Sequence, residues 1–179
     1  MRFRRLGHAV VAVLAALTAA VIPGRAWAAT DGPWMIFPQS TYPARCLELP
    51  HANTATGTIV DIYTCPSGIT PLHMRWTFLH FNDGTVQLQN GVSGKCASAP
   101  GGTLESGAFV EEWPCATYNH WIETRRETGT QDYYQFKTPG ANLCLNVRGN
   151  ATANDTPLIL YTCTSGVAND LFTWTPAHQ

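Results

Sequence analysis

Six cysteines fall into three pairs of one spacing. Cys46 and Cys65, Cys96 and Cys115, and Cys144 and Cys163 each lie 19 residues apart. The first members recur at intervals of 50 and 48 residues. A fixed period of that size marks one supersecondary unit used three times. It also suggests how six thiols choose their partners, which a cysteine count leaves open.

Aligned on the first cysteine, the units run roughly over residues 33–80, 81–128 and 129–176. They open with Cys46-Leu47-Glu48-Leu49, Cys96-Ala97-Ser98-Ala99 and Cys144-Leu145-Asn146-Val147. Each alternates apolar and polar residues, the period of a half-buried strand. A turn-rich stretch follows, then a second strand that ends on the second cysteine: Val60-Asp61-Ile62-Tyr63-Thr64-Cys65, Val110-Glu111-Glu112-Trp113-Pro114-Cys115 and Leu158-Ile159-Leu160-Tyr161-Thr162-Cys163. Aromatic segments around Trp76, Trp121 and Phe172 close the units. No stretch carries a sustained 3.6-residue apolar stripe, and 15 glycines and 12 prolines punctuate the chain. Short strands with regular turns predict an all-β domain. One such unit cannot bury its own apolar face; three around a pseudo-threefold axis share a core.

The N-terminus fixes an expected compartment. Arg2, Arg4 and Arg5 precede an uncharged run from Ala9 to Ile22, followed by Ala26-Trp27-Ala28. That is a basic segment, an apolar core too short to span a bilayer comfortably, and a small-x-small cleavage site. Cleavage is expected after Ala28, leaving a single domain over 29–179 in a secreted, extracellular protein. It would remove Arg2, Arg4, Arg5 and Arg25 from 11 basic residues and none of the 12 acidic ones, leaving seven against 12. An acidic balance argues against nucleic acid as a partner. No second apolar run predicts membrane insertion. All six cysteines lie in the exported part, where disulfides persist.

Three units of about 48 residues, a cysteine pair 19 apart in each, a Cys-Leu-acid start and an aromatic-x-Cys strand end resemble the ricin B-chain type lectins. The resemblance covers roughly residues 33–176. It implies a β-trefoil with one disulfide inside each unit, worth roughly 3 kcal/mol per 20-residue loop; the alternative is metal-binding or catalytic thiols, for which no Cys-x-x-Cys is present. The family's Gln-x-Trp motif is altered: the matching triplets are Met74-Arg75-Trp76, Asn119-His120-Trp121 and Asp170-Leu171-Phe172. The Trp survives twice and the Gln never.

The family's sugar sites carry over position by position. A stacking aromatic sits two residues before the second cysteine, here Tyr63, Trp113 and Tyr161. If Ile62 and Leu160 face the core, these rings face solvent; the competing reading packs them over a loop. A hydroxyl acceptor sits two residues after the first cysteine, a carboxylate being the strongest kind; the slots hold Glu48, Ser98 and Asn146. A further polar residue falls at His73, Tyr118 and Asn169, beside the altered Gln slots Met74, Asn119 and Asp170. The first site is thus expected from Glu48, Asp61, Tyr63 and His73, the third from Asn146, Tyr161, Asn169 and Asp170. The second has the broadest ring, Trp113, with Asn119 but no strong acceptor. Trp76, Trp121 and Phe172 are expected in the core.

Glu112 stands where Ile62 and Leu160 predict a core residue. A buried unpaired carboxylate is costly, so it either meets a partner such as Arg125 or Arg126 or marks a bulge. Catalysis has little support. Gly-x-Ser-x-Gly, His-Glu-x-x-His and phosphate-loop motifs are absent, the histidines lack metal-ligand spacing, and no cofactor is expected. Glu111 and Glu112, as strand neighbours, point to opposite faces and cannot share one sugar as a glycosidase pair. The expected function is binding of galactose-type sugars or polysaccharide. The alternative is a protein-interaction subunit of a secreted toxin or enzyme complex with vestigial sugar sites. A protease inhibitor is a third reading, on fold analogy alone.

Overall fold

The computed structural model describes residues 27–116, 120–128, 131–165 and 167–179. Residues 1–26 of the expected signal segment 1–28, and the site residues Tyr118 and Asn119, lie outside them. Among the described residues there are twelve strands and no α-helix. Unit one holds β1 (Trp27–Pro38), β2 (Arg45–Glu48), β3 (Asp61–Thr64) and β4 (Trp76–Phe81). Unit two holds β5 (Thr85–Asn90), β6 (Cys96–Ser98), β7 (Glu111–Trp113) and β8 (Trp121–Thr128). Unit three holds β9 (Gln131–Lys137), β10 (Leu143–Val147), β11 (Thr156–Thr162) and β12 (Phe172–Pro176).

The first and last strands of each unit close a six-stranded barrel. Antiparallel pairing runs β1–β4–β5–β8–β9–β12 and back to β1. Closure removes the sheet edges that an open sheet of this length would expose. The middle strands form three hairpins, β2–β3, β6–β7 and β10–β11. These cap one end of the barrel and meet at its axis. Val60 N–H donates to Val110 O, Val110 N–H to Leu158 O, and Leu158 N–H to Val60 O, each at 2.9 Å. The three residues stand five positions before the second cysteine of their units, and all are fully buried. This triangle is the pseudo-threefold axis, and the fold is the β-trefoil that the family resemblance implies.

Alternation decides which residues fill it. On the first hairpin Leu47, Leu49, Val60 and Ile62 point inward, while Cys46, Glu48, Asp61 and Tyr63 share the other face. Trp76, Trp121 and Phe172 are buried in the core, as expected. The two indoles make equivalent hydrogen bonds, Trp76 Nε1 to Leu47 O and Trp121 Nε1 to Ala97 O, both 3.1 Å. Each unit contains its own disulfide, Cys46–Cys65, Cys96–Cys115 and Cys144–Cys163. No helix among the described residues is long and apolar enough to cross a membrane.

Glu112 finds a partner, but a serine and not an arginine. The β6–β7 register runs unbroken through Ala97↔Glu112, so there is no bulge. Arg125 pairs with Asp132 and Arg126 donates to Gln135. Glu112 is completely buried and takes a hydrogen bond from Ser93 Oγ at 2.8 Å; its Oε2 has no partner.

Candidate functional site

The outer face of each hairpin carries the acceptor slot and the ring diagonally across the two strands. In unit one Cys46 pairs with Tyr63 and Glu48 with Asp61. In unit three Cys144 pairs with Tyr161 and Asn146 with Ile159. Residues one ladder step apart on the same face are near neighbours, so ring and acceptor share a cleft. Tyr63 is 38% exposed and Tyr161 51%. Trp113 is half-buried, and its indole N–H is held by Glu111 Oε2 at 3.1 Å.

The cleft of unit one, about 310 Å³, is lined by Glu48, Tyr63 and His73 together with His51 and Pro71. His73 Nε2 lies 3.2 Å from Glu48 Oε2. The cleft of unit three, about 410 Å³, is lined by Asn146, Tyr161 and Asn169 with Arg148 and Gly149. Asn169 Nδ2 donates to Asn146 Oδ1 at 3.0 Å, the same slot-to-slot contact that His73 and Glu48 make. In unit two Ser98 is buried and its hydroxyl bonds to Ala99 O at 3.2 Å. The cavity beside it, about 210 Å³, is lined by Leu104, His120, Trp121 and Thr138 and touches neither Ser98 nor Trp113.

Asp170 lies apart from the expected third site. Its carboxylate is buried and accepts hydrogen bonds from Gln135 Nε2 at 2.9 Å and the Thr164 N–H at 3.2 Å. Occupying the altered Gln slot, it ties β9 to the loop after β11. Asp61 likewise does not line the first cleft; it is buried beside Glu48 across the hairpin. Sequence reasoning missed His51 and Arg148. Both lie in the tight turn after the acceptor slot, His51 three residues past Glu48 and Arg148 two residues past Asn146. Arg148 is placed over the Phe109 ring of unit two, 5.8 Å from its centroid.

A third carboxylate completes the group behind the first cleft. Glu48, Asp61 and Asp155 each bring an oxygen within 4.8 Å of the others. Burial pushes Glu48 up to about 7, with the Asp155 charge adding to it. Burial, then the charges of Glu48 and Asp155, push Asp61 up to about 8. Burial also lowers His73 below its ordinary value. Desolvation favours the neutral form of every one of these groups.

The family model described as a ricin-type β-trefoil lectin domain-like matches residues 72–161. A search of curated proteins finds no match. Solved structures are similar in fold. A designed threefold-symmetric protein, ThreeFoil, is 21% identical with a TM-score of 0.70, over 81% of this chain and 99% of that one. The Rhizoctonia solani agglutinin is 19% identical with a TM-score of 0.65, over 83% and 95%. The Macrolepiota procera ricin B-like lectin, in complex with lactose, is 17% identical with a TM-score of 0.61, over 84% and 97%. With the repeat, the closed barrel and the hairpin cap, the match over half of its length places this chain in the ricin-type β-trefoil lectin family.

Proposed function

We propose that the protein is exported after cleavage at Ala28 and binds carbohydrate, of galactose type or as polysaccharide, through the clefts of units one and three. The observation that carries this reading is the pairing of an exposed tyrosine with a buried polar acceptor in the same cleft, twice, at threefold-equivalent positions. A pyranose presents a flat C–H face and a rim of hydroxyls. The Tyr63 and Tyr161 rings supply a rigid apolar platform for the face. Glu48, or Asn146 with Asn169, supplies hydrogen bonds to the rim. Among its described residues unit two offers neither a free ring nor a free acceptor, so binding rests on two unlike sites. Two weak sites on one rigid frame gain retention on a multivalent glycan surface. The chemistry of both clefts suits binding: a ring for the sugar face and hydrogen-bonding groups for its rim.

Tyr63→Ala combined with Tyr161→Ala is expected to abolish retention on immobilised galactosides and insoluble polysaccharide. The melting temperature should move by no more than about 2 °C, since surface changes of this kind stay within about 0.5 kcal/mol. Retention by the doubly substituted protein would defeat the stacking reading. A protein co-purifying from culture supernatant, without sugar-eluted retention of the unsubstituted protein, would favour an interaction subunit instead.

The two clefts should also differ in pH response. With Tyr161→Ala only the first cleft remains, and its acceptor is charged only above about pH 7. Hydrogen bonds to a charged acceptor are about twice as strong as neutral ones. Affinity should therefore fall roughly tenfold from pH 8 to pH 5. With Tyr63→Ala the amides of the third cleft do not titrate, and affinity should stay flat. Parallel profiles would show that Glu48 is not the acceptor.

A further inference from the structure

We propose that Glu48, Asp61 and Asp155 form a binding site for a hard divalent cation of the Ca²⁺ class, joining unit one to unit three. The inference stands apart from the sugar reading, because its readouts need no glycan.

The site is built by the threefold geometry. The residue eight positions before the second cysteine of each unit sits in a turn whose N–H reaches the neighbouring hairpin: Gly57 to Glu112 O at 2.9 Å, Gly107 to Leu160 O at 2.7 Å, and Asp155 to Ile62 O at 3.0 Å. The two glycines have φ of 86° and 92°, and Asp155 has φ of 60°. A side chain thus appears at the one corner where unit three faces the acidic pair of unit one. The equivalent corner shows where such a side chain points. A Cβ on Gly57 would stand 3.8 Å from Glu111 Oε2 of unit two. There the acceptor slot is Ser98 and the opposing residue Gly57, so one carboxylate stands alone and is held by Trp113. Beside unit three the residues are Asn146, Ile159 and Gly107, with no carboxylate. All three acids coincide at one corner of three.

The acids lack what usually compensates them. Asp61 is only 5% exposed, and its Oδ1 is buried without a hydrogen-bond partner. Among the described residues no Lys or Arg pairs with Glu48, Asp61 or Asp155, and His73 reaches only Glu48 Oε2. An unpartnered buried carboxylate oxygen beside two more carboxylates asks for positive charge. Oxygens on a common Ca²⁺ at about 2.3–2.6 Å stand at most about 5 Å apart, and these lie within 4.8 Å. All ligands are carboxylate oxygens, which suits a hard cation and not a soft one. Asp155 is exposed, so water can complete the shell.

The test uses the purified protein in chelator-washed buffer at pH 8, titrated with CaCl₂. Calorimetry should give one site per chain, and about 10 mM Ca²⁺, above the range in which exposed extracellular Ca²⁺ modules fill, should raise Tm by about 5 °C. Asp155→Gly, which restores the glycine that units one and two carry at this corner, should fold with its three disulfides and lose both responses. Asp155→Asn, which tolerates the same turn without the charge, should lose most of both. No heat and no Tm change in the unsubstituted protein would overturn the proposal and leave the trio neutralised by protons. A Ca²⁺ response that survives in Asp155→Gly would overturn it by placing the ion elsewhere. Loss of sugar retention with an intact Ca²⁺ response would count against the clefts alone.

Discussion

Replacing Glu112 by leucine is expected to stabilise the protein by about 3 kcal/mol at pH 8 and by much less at pH 4.5. Glu112 holds the place of Ile62 and Leu160 on the inward face of its hairpin and is completely buried. Burial pushes its carboxyl up to about 7 against an ordinary value near 4.5, while the Ser93 hydrogen bond and the Lys95 charge pull only partly back. Lys95 is itself engaged with Thr54 O. A folded-state value above the unfolded one means that the unfolded chain releases its proton first. The penalty is therefore absent below about pH 4.5, grows as pH rises and is complete above about 7. Each tenfold of proton affinity corresponds to about 1.4 kcal/mol, which gives a total of about 3 kcal/mol. Leucine removes the penalty and restores the side chain that unit three uses. Ser93 is half-exposed and can turn its hydroxyl to water. Glu112→Gln separates charge from shape: it should flatten the same part of the pH profile but gain less, because one amide proton stays unpartnered. Urea unfolding at pH 4.5 and pH 8 measures all three proteins. Equal stabilities at pH 8 and an unchanged slope in Glu112→Leu would mean that this carboxylate costs nothing. Glu48 and Asp61 shift in the same direction, so some loss of stability with rising pH should persist in the variant.

The ease with which the fold could be read, and the difficulty with the sites, have one physical cause. Barrel and cap are specified by alternation, by turn spacing and by cysteines that pair within a unit. These are local signals repeated three times, so noise in one unit is corrected by the others. Trp76 and Trp121 could be placed in the core from their recurrence at equivalent positions, and strand parity put Tyr63 and Tyr161 opposite Ile62 and Leu160, so that fixing one face fixes the other. The features that escaped are contacts made by turn residues, between units or back into one. Asp155 lies about 90 residues beyond Asp61 in sequence and reads there only as a turn residue; its meaning appears once the Asp155 N–H is seen to bond Ile62 O. Ser93 is likewise a turn residue that happens to reach the inside of its own unit. Asp170 failed for another reason. The altered Gln slot was read as part of the sugar site, whereas here its side chain anchors β9 and Thr164 from within. A slot carries over by position, but the direction of a side chain depends on which partners the rest of the chain supplies.

The sharpest separation of frame from site comes from two rings thirteen residues apart. Trp76→Ala is expected to cost about 3–5 kcal/mol, the range for removing a large ring from a close-packed core. That lowers Tm by roughly 10 °C or more for a domain of this size. Two losses combine. The indole is fully buried, and its removal leaves a cavity in the core cluster that also holds Ile36, Phe78 and Leu88. Its Nε1 also satisfies Leu47 O at 3.1 Å, a carbonyl on the strand that carries Glu48. Trp121→Ala should cost a similar amount, because Trp121 Nε1 does the same for Ala97 O. Trp76→Phe should fall between the unsubstituted protein and Trp76→Ala: most of the ring volume returns, but the carbonyl loses its donor, a change of about 1–3 kcal/mol. Unit three, where Phe172 is fully buried at the equivalent place, already shows that phenylalanine fits such a corner. Tyr63→Ala on the outer face should leave Tm nearly fixed and weaken glycan retention. Trp76→Ala that remains folded at low temperature should keep retention and lose heat stability. If thermal unfolding gave the two substitutions the same cost, the division of each hairpin into a core face and a binding face would be wrong.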